Sequence, residues 1–100
     1  MSTPPCRLRV PEGLAEVIRG LHPELKRKVR AGLDIIRSEP SSGRALRDDL
    51  AGLQSLRVGR LRIIYRVAPG RVIELVAVGP RRIIYEETSR QLRRERGRRP

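Results

Sequence analysis

Five arginines, Arg57, Arg60, Arg62, Arg66 and Arg71, fall between Leu56 and Arg71 with no acid among them, and Arg81, Arg82 and Tyr85 follow a second apolar run. Phosphate chemistry without a metal would use these side chains. A guanidinium is permanently charged and grips a phosphate with two parallel N–H groups, and a phenol can take or give a proton. Cutting RNA through its own 2′-hydroxyl requires removal of that proton, stabilisation of the charge that builds on a phosphorane-like transition state, and help for the departing 5′-oxygen. Two or three fixed guanidiniums and one phenol can meet those needs. Because the positive charge of the arginine segment is locally uncompensated, a polyanion is its natural partner.

Composition sets bounds on the protein that carries these groups. One hundred residues, 38% of them hydrophobic, suit a single small domain with one modest core, so the functional groups share one surface. A formal net charge of +12 points to nucleic acid, an anionic surface or an acidic protein. Arginine makes up 21 of the 23 basic residues; this favours bidentate phosphate contacts, although a GC-rich genome enriches arginine without functional meaning. With two Tyr and no Phe or Trp, an aromatic platform for stacked bases is excluded as the main mode of recognition. The single Cys6 rules out an intramolecular disulfide, and with one His22 it cannot complete a four-ligand Cys/His zinc site. No apolar run reaches the roughly 18 residues of a membrane span, and the N-terminus lacks the pattern of a secretory signal. The expectation is a soluble cytoplasmic protein that makes no membrane contact.

Several elements must position the arginines and the tyrosine. Arg7 to Val10 alternates basic and apolar residues into Pro11, the pattern of a short first or edge strand. Leu14, Val17, Ile18 and Leu21 share one helical face that ends at Gly20 and Pro23, and Leu25, Val29, Leu33 and Ile36 form the stripe of a second helix. Pro23 and Glu24 suit that helix's first turn, with His22 a helix-start residue. The turn between the helices is so short that the two should form an antiparallel hairpin laid on a sheet. Arg44 to Leu53 reads as a loop with about one helical turn. Leu53 to Val58, Leu61 to Ala68 and Arg71 to Val78 read as an antiparallel meander joined at Gly59-Arg60 and Pro69-Gly70. Strand alternation then sends Leu61, Ile63, Tyr65 and Val67 to one face and Arg62, Ile64, Arg66 and Ala68 to the other. Arg81 to Ile84 could extend the sheet, and Tyr85 to about Arg96 reads as a short helix anchored by Leu92. Six arginines and one glutamate between Arg90 and Pro100 give a basic end expected to fray.

This order of elements, together with Leu56-Arg-Val-Gly-Arg-Leu-Arg-Ile-Ile-Tyr65 and Val78-Gly-Pro-Arg-Arg-Ile-Ile-Tyr85, resembles the RelE/ParE superfamily of bacterial and archaeal toxins. The resemblance covers about residues 7 to 92. It implies an α+β fold in which an N-terminal strand and a helical hairpin pack on a small antiparallel sheet, followed by a short C-terminal helix. On this reading residues 1–92 are a single toxin domain and residues 93–100 a basic, flexible tail. RelE-branch members are ribosome-dependent mRNA endonucleases that arrest translation and are held inactive by a co-encoded antitoxin. ParE-branch members poison DNA gyrase and lack the nuclease residues.

Carried over by position, the resemblance assigns Arg62, Arg81 and Tyr85 to the catalytic site. Tyr85 is the candidate general base, and Arg62 and Arg81 are phosphate clamps. Because a free tyrosine titrates near ~10, the base role needs adjacent positive charge such as Arg62 or Arg81. Arg82 substitutes for Arg81 if the register slips, and either could donate a proton. Charge stabilisation suits them better, since a guanidinium holds its proton too tightly to be a ready acid. Arg57, Arg60, Arg66 and Arg82 are candidate RNA contacts; the plain alternative for Arg57, Arg60, Arg66 and Arg71 is a solvated face. Some members carry lysines on the preceding strand, where this chain has Leu53 and Ser55, and many have His where it has Pro80. Tyr65 reads as core and Cys6 as a small buried residue. The acid pairs Asp48-Asp49 and Glu86-Glu87 read as tempering repulsion, with no metal or other cofactor expected. The implied partners are an antitoxin, in a possible hetero-oligomer, and the ribosome with its mRNA. Two alternatives remain open: a gyrase inhibitor without nuclease activity, and a noncatalytic nucleic-acid binder.

Overall fold

A computed structural model describes the backbone of residues 5–98, and the side chains of those residues apart from 81–83 and 95–98. Strand β1 (Arg7–Arg9) leads into helices α1 (Glu12–Arg19) and α2 (Pro23–Ser38). His22 starts α2 as expected: its Nδ1 accepts the Glu24 N–H at 3.2 Å, satisfying one of the first-turn donors that Pro23 does not already remove. The buried face of α2 is Val29, Gly32 and Ile36. Gly32 was not part of the expected apolar stripe, yet it sets how close the helix lies to the sheet. A Cβ there would meet the Val58 side chain and approach Ile63 Cδ1 at 3.0 Å.

The chain continues through β2 (Arg44–Ala45), a 3-10 turn at Asp48–Leu50, β3 (Gln54–Val58), β4 (Leu61–Ala68), β5 (Val72–Pro80) and α3 (Arg81–Arg98). The five strands run in the order β1-β5-β4-β3-β2. The expected meander is present as β3, β4 and β5, with adjacent strands antiparallel, while β1 lies parallel to β5. The sheet is therefore mixed rather than wholly antiparallel. Arg44 to Leu53, expected to be a loop with one helical turn, also contributes a sheet edge, because Arg44 and Ala45 pair with Ser55 and Gln54. At the β3–β4 hairpin, Gly59 takes φ +63, a left-handed conformation that glycine adopts without strain.

Alternation along β4 divides two cores. Leu61, Ile63 and Tyr65 face the helical hairpin, with Val58, Ile73, Leu75 and Val78 in the same cluster, while Ile64 joins Leu53, Ala77 and Ile84 on the opposite face. Val67 remains 42% exposed instead of joining the first set. One extra residue on β5, Val76, makes a bulge opposite the Ile64–Tyr65 step. The bulge reverses strand parity, so that Ile73, Leu75 and Val78 reach the same core despite their odd and even spacing.

Arg81 to Ile84 forms the start of α3 rather than a continuation of the sheet. The reason is visible in the second core. Ile84 is buried there, Tyr85 and Leu92 pack beside it, and Thr88 is fully buried, so residues at helical spacing dock α3 on the sheet. The helix is thus longer and better anchored than the expected short helix held by Leu92. Its backbone stays helical through Arg98, across most of the segment expected to fray. Cys6 is buried, and its backbone carbonyl accepts the Arg37 Nε–H at 2.9 Å, tying the start of β1 to the end of α2.

Candidate functional site

Arg62 and Tyr85 come together although 23 positions separate them in the chain. Arg62 projects from β4 onto the face that α3 covers, and Tyr85 reaches the same face from the first turns of α3. Both line one open cleft of about 310 Å³ with Arg44, Ala45, Leu46, Arg47 and Leu50. Among these lining residues three are arginines and none is acidic. Arg44 and Arg47 were absent from the sequence-derived set. Their signal was weak, because the cleft wall is the short β2 strand and the turn after it, which read from sequence as a loop.

Strand register places the groups in rows. Arg57 lies opposite Arg62 across β3 and β4, and Ser55 opposite Ile64 in the next row on that face. Adjacent rows on one face are about 7 Å apart along a strand. Tyr85 descends onto the Ser55 row: its hydroxyl lies 3.1 Å from Ser55 Oγ, and either oxygen can donate. Ser55 is 2% exposed and Tyr85 half-buried. Leu53, just before β3, and Ser55, on it, are both buried and neutral.

The other candidates divide. Arg57 and Arg60 are exposed at the β3–β4 hairpin and border a small recess that also reaches Arg62, so Arg62 joins two basic surfaces. Arg57 Nε donates to the Gly59 carbonyl at 3.3 Å. Arg66 is not brought to the cleft; its guanidinium pairs with Glu74 at 3.0 Å, and Glu74 also meets Arg9 at 3.5 Å. The side chains of Arg81 and Arg82 lie outside the described residues, and only their helical backbone after Pro80 is defined.

Tyr65, expected in the core, is wholly buried. Its hydroxyl accepts the Gly43 N–H at 2.9 Å and shares its single proton between Pro40 O at 2.7 Å and Gln54 Oε1 at 2.9 Å. Burial raises the phenol's pKa above its ordinary value, against opposing hydrogen bonds from Gly43 and Ser42. No described helix is long and apolar enough to cross a membrane.

A helical hairpin on one face of a five-stranded sheet, with a third helix and a basic cleft on the other, is the fold of a class of small toxins. Similar solved structures include the toxin-antitoxin complex RelBE2 from Mycobacterium tuberculosis, at 24% identity over 79% of this chain and 94% of that one, with a TM-score of 0.69. A mutant E. coli toxin RelE in the free state matches at 19% identity over 87% of this chain and 97% of that one, with a TM-score of 0.67. The archaeal RelE-RelB complex from Pyrococcus horikoshii matches at 24% identity over 77% and 96% of the two chains, with a TM-score of 0.63. At such identities the likeness is one of fold. No curated protein matches the chain. The model of the family described as ParE toxin of type II toxin-antitoxin system, parDE, matches residues 13–85, and the chain belongs to that family. It is a RelE/ParE superfamily toxin of a type II toxin-antitoxin system.

Proposed function

We propose that this toxin is a metal-independent endonuclease that cuts mRNA on the ribosome and so arrests translation in the cytoplasm. The observation that supports this reading most is the shared cleft: Arg62 and Tyr85 line it together with Arg44 and Arg47, with no acid among the lining residues. Tyr85, as phenolate, takes the proton of the 2′-hydroxyl, and the O2′–P bond forms as the P–O5′ bond breaks. The 5′-oxygen takes a proton from solvent water as it leaves, and the phenol returns its proton to the hydroxide so formed. Arg62 and Arg81 hold the phosphate and offset its extra negative charge. Arg57, Arg60 and Arg82 bind flanking phosphates, with Arg66 a more distant contact restrained by Glu74. Residues 1–92 form the toxin domain and 93–100 its basic extension. An antitoxin is the inhibitory partner, as in the RelE–RelB complexes that share the fold.

A second reading has its own support. The matching family model is that of ParE toxins, and Leu53 and Ser55 supply no lysine to the cleft. A toxin directed at DNA gyrase would use the same surface as a protein-binding face. Mapping mRNA 5′ ends in a translation reaction, with and without ribosomes, separates the two. Codon-phased ends that need ribosomes and fall sharply in Arg81→Ala and Tyr85→Phe support the nuclease. No new ends from the folded wild-type chain reject it, and inhibition of gyrase supercoiling in the same preparation then supports the second reading. Loss of both activities with retained, salt-sensitive RNA binding leaves a noncatalytic binder.

A further inference from the structure

Ser55 is a buried hydroxyl whose oxygen lies 3.1 Å from that of Tyr85. The two residues belong to different layers, since Ser55 sits on β3 inside the sheet and Tyr85 on α3 above it. Tyr85 also lines the basic cleft, so the residue that Ser55 holds is part of that cleft's wall. Ser55 stands one row from the Arg57–Arg62 pair on the same sheet face. The contact therefore fixes the phenol oxygen relative to the guanidinium that shares the cleft. A tyrosine ring packed by its body alone keeps freedom about its side-chain torsions. A hydrogen bond to a strand residue removes that freedom at the reacting end.

We infer that Ser55 is a positioning residue that holds the Tyr85 hydroxyl at the cleft for reaction with the RNA 2′-hydroxyl. The inference rests on the nuclease reading. Ser55 does not touch RNA; it acts through Tyr85. Positioning of this kind changes the rate of the chemical step and leaves substrate binding to the arginines.

The test uses the full chain with programmed ribosomes and a defined mRNA, comparing wild type, Ser55→Ala, Tyr85→Phe and the double variant. Ser55→Ala is expected to lower kcat about tenfold or more with KM unchanged, and to add no further loss in the Tyr85→Phe background. Wild-type kcat in a folded Ser55→Ala protein overturns the inference, as does a full additional loss in the double variant. A second readout does not depend on cleavage. The chain has two tyrosines, so ring-labelled NMR resolves Tyr85 from Tyr65. In Ser55→Ala the Tyr85 signal should shift and its ring should flip faster while Tyr65 stays unchanged. An unmoved Tyr85 signal overturns the inference even if RNA is cut. Absence of cleavage by wild type overturns the nuclease reading and the catalytic consequence together, while the Tyr85 signal still decides whether Ser55 holds the phenol.

Discussion

Gly43 and Tyr65 are joined by a contact that tolerates no side chain at the glycine: the Gly43 N–H donates to Tyr65 Oη at 2.9 Å, and a Cβ on Gly43 would collide with that oxygen. The tyrosine, in the middle of β4, thereby ties down the segment between α2 and β2 that leads into the cleft. Arg44, a cleft residue, follows Gly43 directly. The alignment of the basic wall thus depends on a phenol in the core.

Tyr65→Phe keeps the ring and deletes its hydrogen bonds to Pro40, Gln54 and Gly43. Leaving those partners without the hydroxyl should cost about 1–3 kcal/mol, which urea unfolding would read as a lower midpoint with unchanged slope. Gly43→Ala should cost at least as much as a typical overpacked site, about 1–3 kcal/mol.

Alkaline titration tests the same residue. Because the folded-state pKa of Tyr65 is raised by burial, its contribution to stability is full below the unfolded value near ~10 and is lost as pH rises through the folded value. Thermal melts of wild type should therefore fall as pH climbs above ~10, and Tyr65→Phe should show a shallower fall. An equal slope in the two proteins would refute this assignment.

Gly32→Ala pushes a methyl into Val58 and Ile63 on β3 and β4. A destabilisation of about 1–3 kcal/mol is expected from overpacking. The residue lies on the face opposite the cleft, so the folded fraction of Gly32→Ala should retain wild-type specific activity in the cleavage assay.

Arg44→Ala and Arg47→Ala should leave the melting temperature within about 2 °C of wild type, because both side chains are exposed. They should weaken RNA binding and make it less sensitive to salt, lowering the slope of log K against log salt by about 0.7 for each phosphate contact removed. Binding measured between low and moderate salt checks this; an unchanged slope would place both residues off the RNA path.

Glu74→Gln removes the acid shared by Arg9 and Arg66. The two guanidiniums are exposed, so the stability loss should stay below about 1 kcal/mol and disappear in high salt. If Arg66 is a reserve phosphate contact, freeing it should also tighten RNA binding at low salt.

Much of the architecture is legible in residue order. The α2 stripe, the strand limits of Leu61 to Ala68 and the opposite facing of Tyr65 and Arg62 follow from local period, because side-chain direction repeats every two residues in a strand and every 3.6 in a helix. The helix-start role of His22 follows from its place before Pro23. These are short-range properties, carried by neighbours in the chain. The superfamily, too, is apparent from the strand and Gly-Pro-Arg-Arg-Ile-Ile-Tyr segments.

What escaped the sequence required distant residues to meet. Arg81 to Ile84 has strand-like Ile-Ile composition, but burying Ile84 in the second core, with Thr88 buried one turn further on, favours a helix there. The parallel pairing of β1 with β5 joins residues 65 positions apart, as in Arg9 with Glu74. Arg44 and Arg47 became cleft residues only because a two-residue strand adds to the β3 edge. Ser55, noted in the sequence only as a neutral residue, met Tyr85 only when α3 folded over the sheet. Residue type and local spacing supplied the charge, the elements and the tyrosine. Pairing register and helix docking, which depend on burial across the whole chain, decided which of those groups share a cleft.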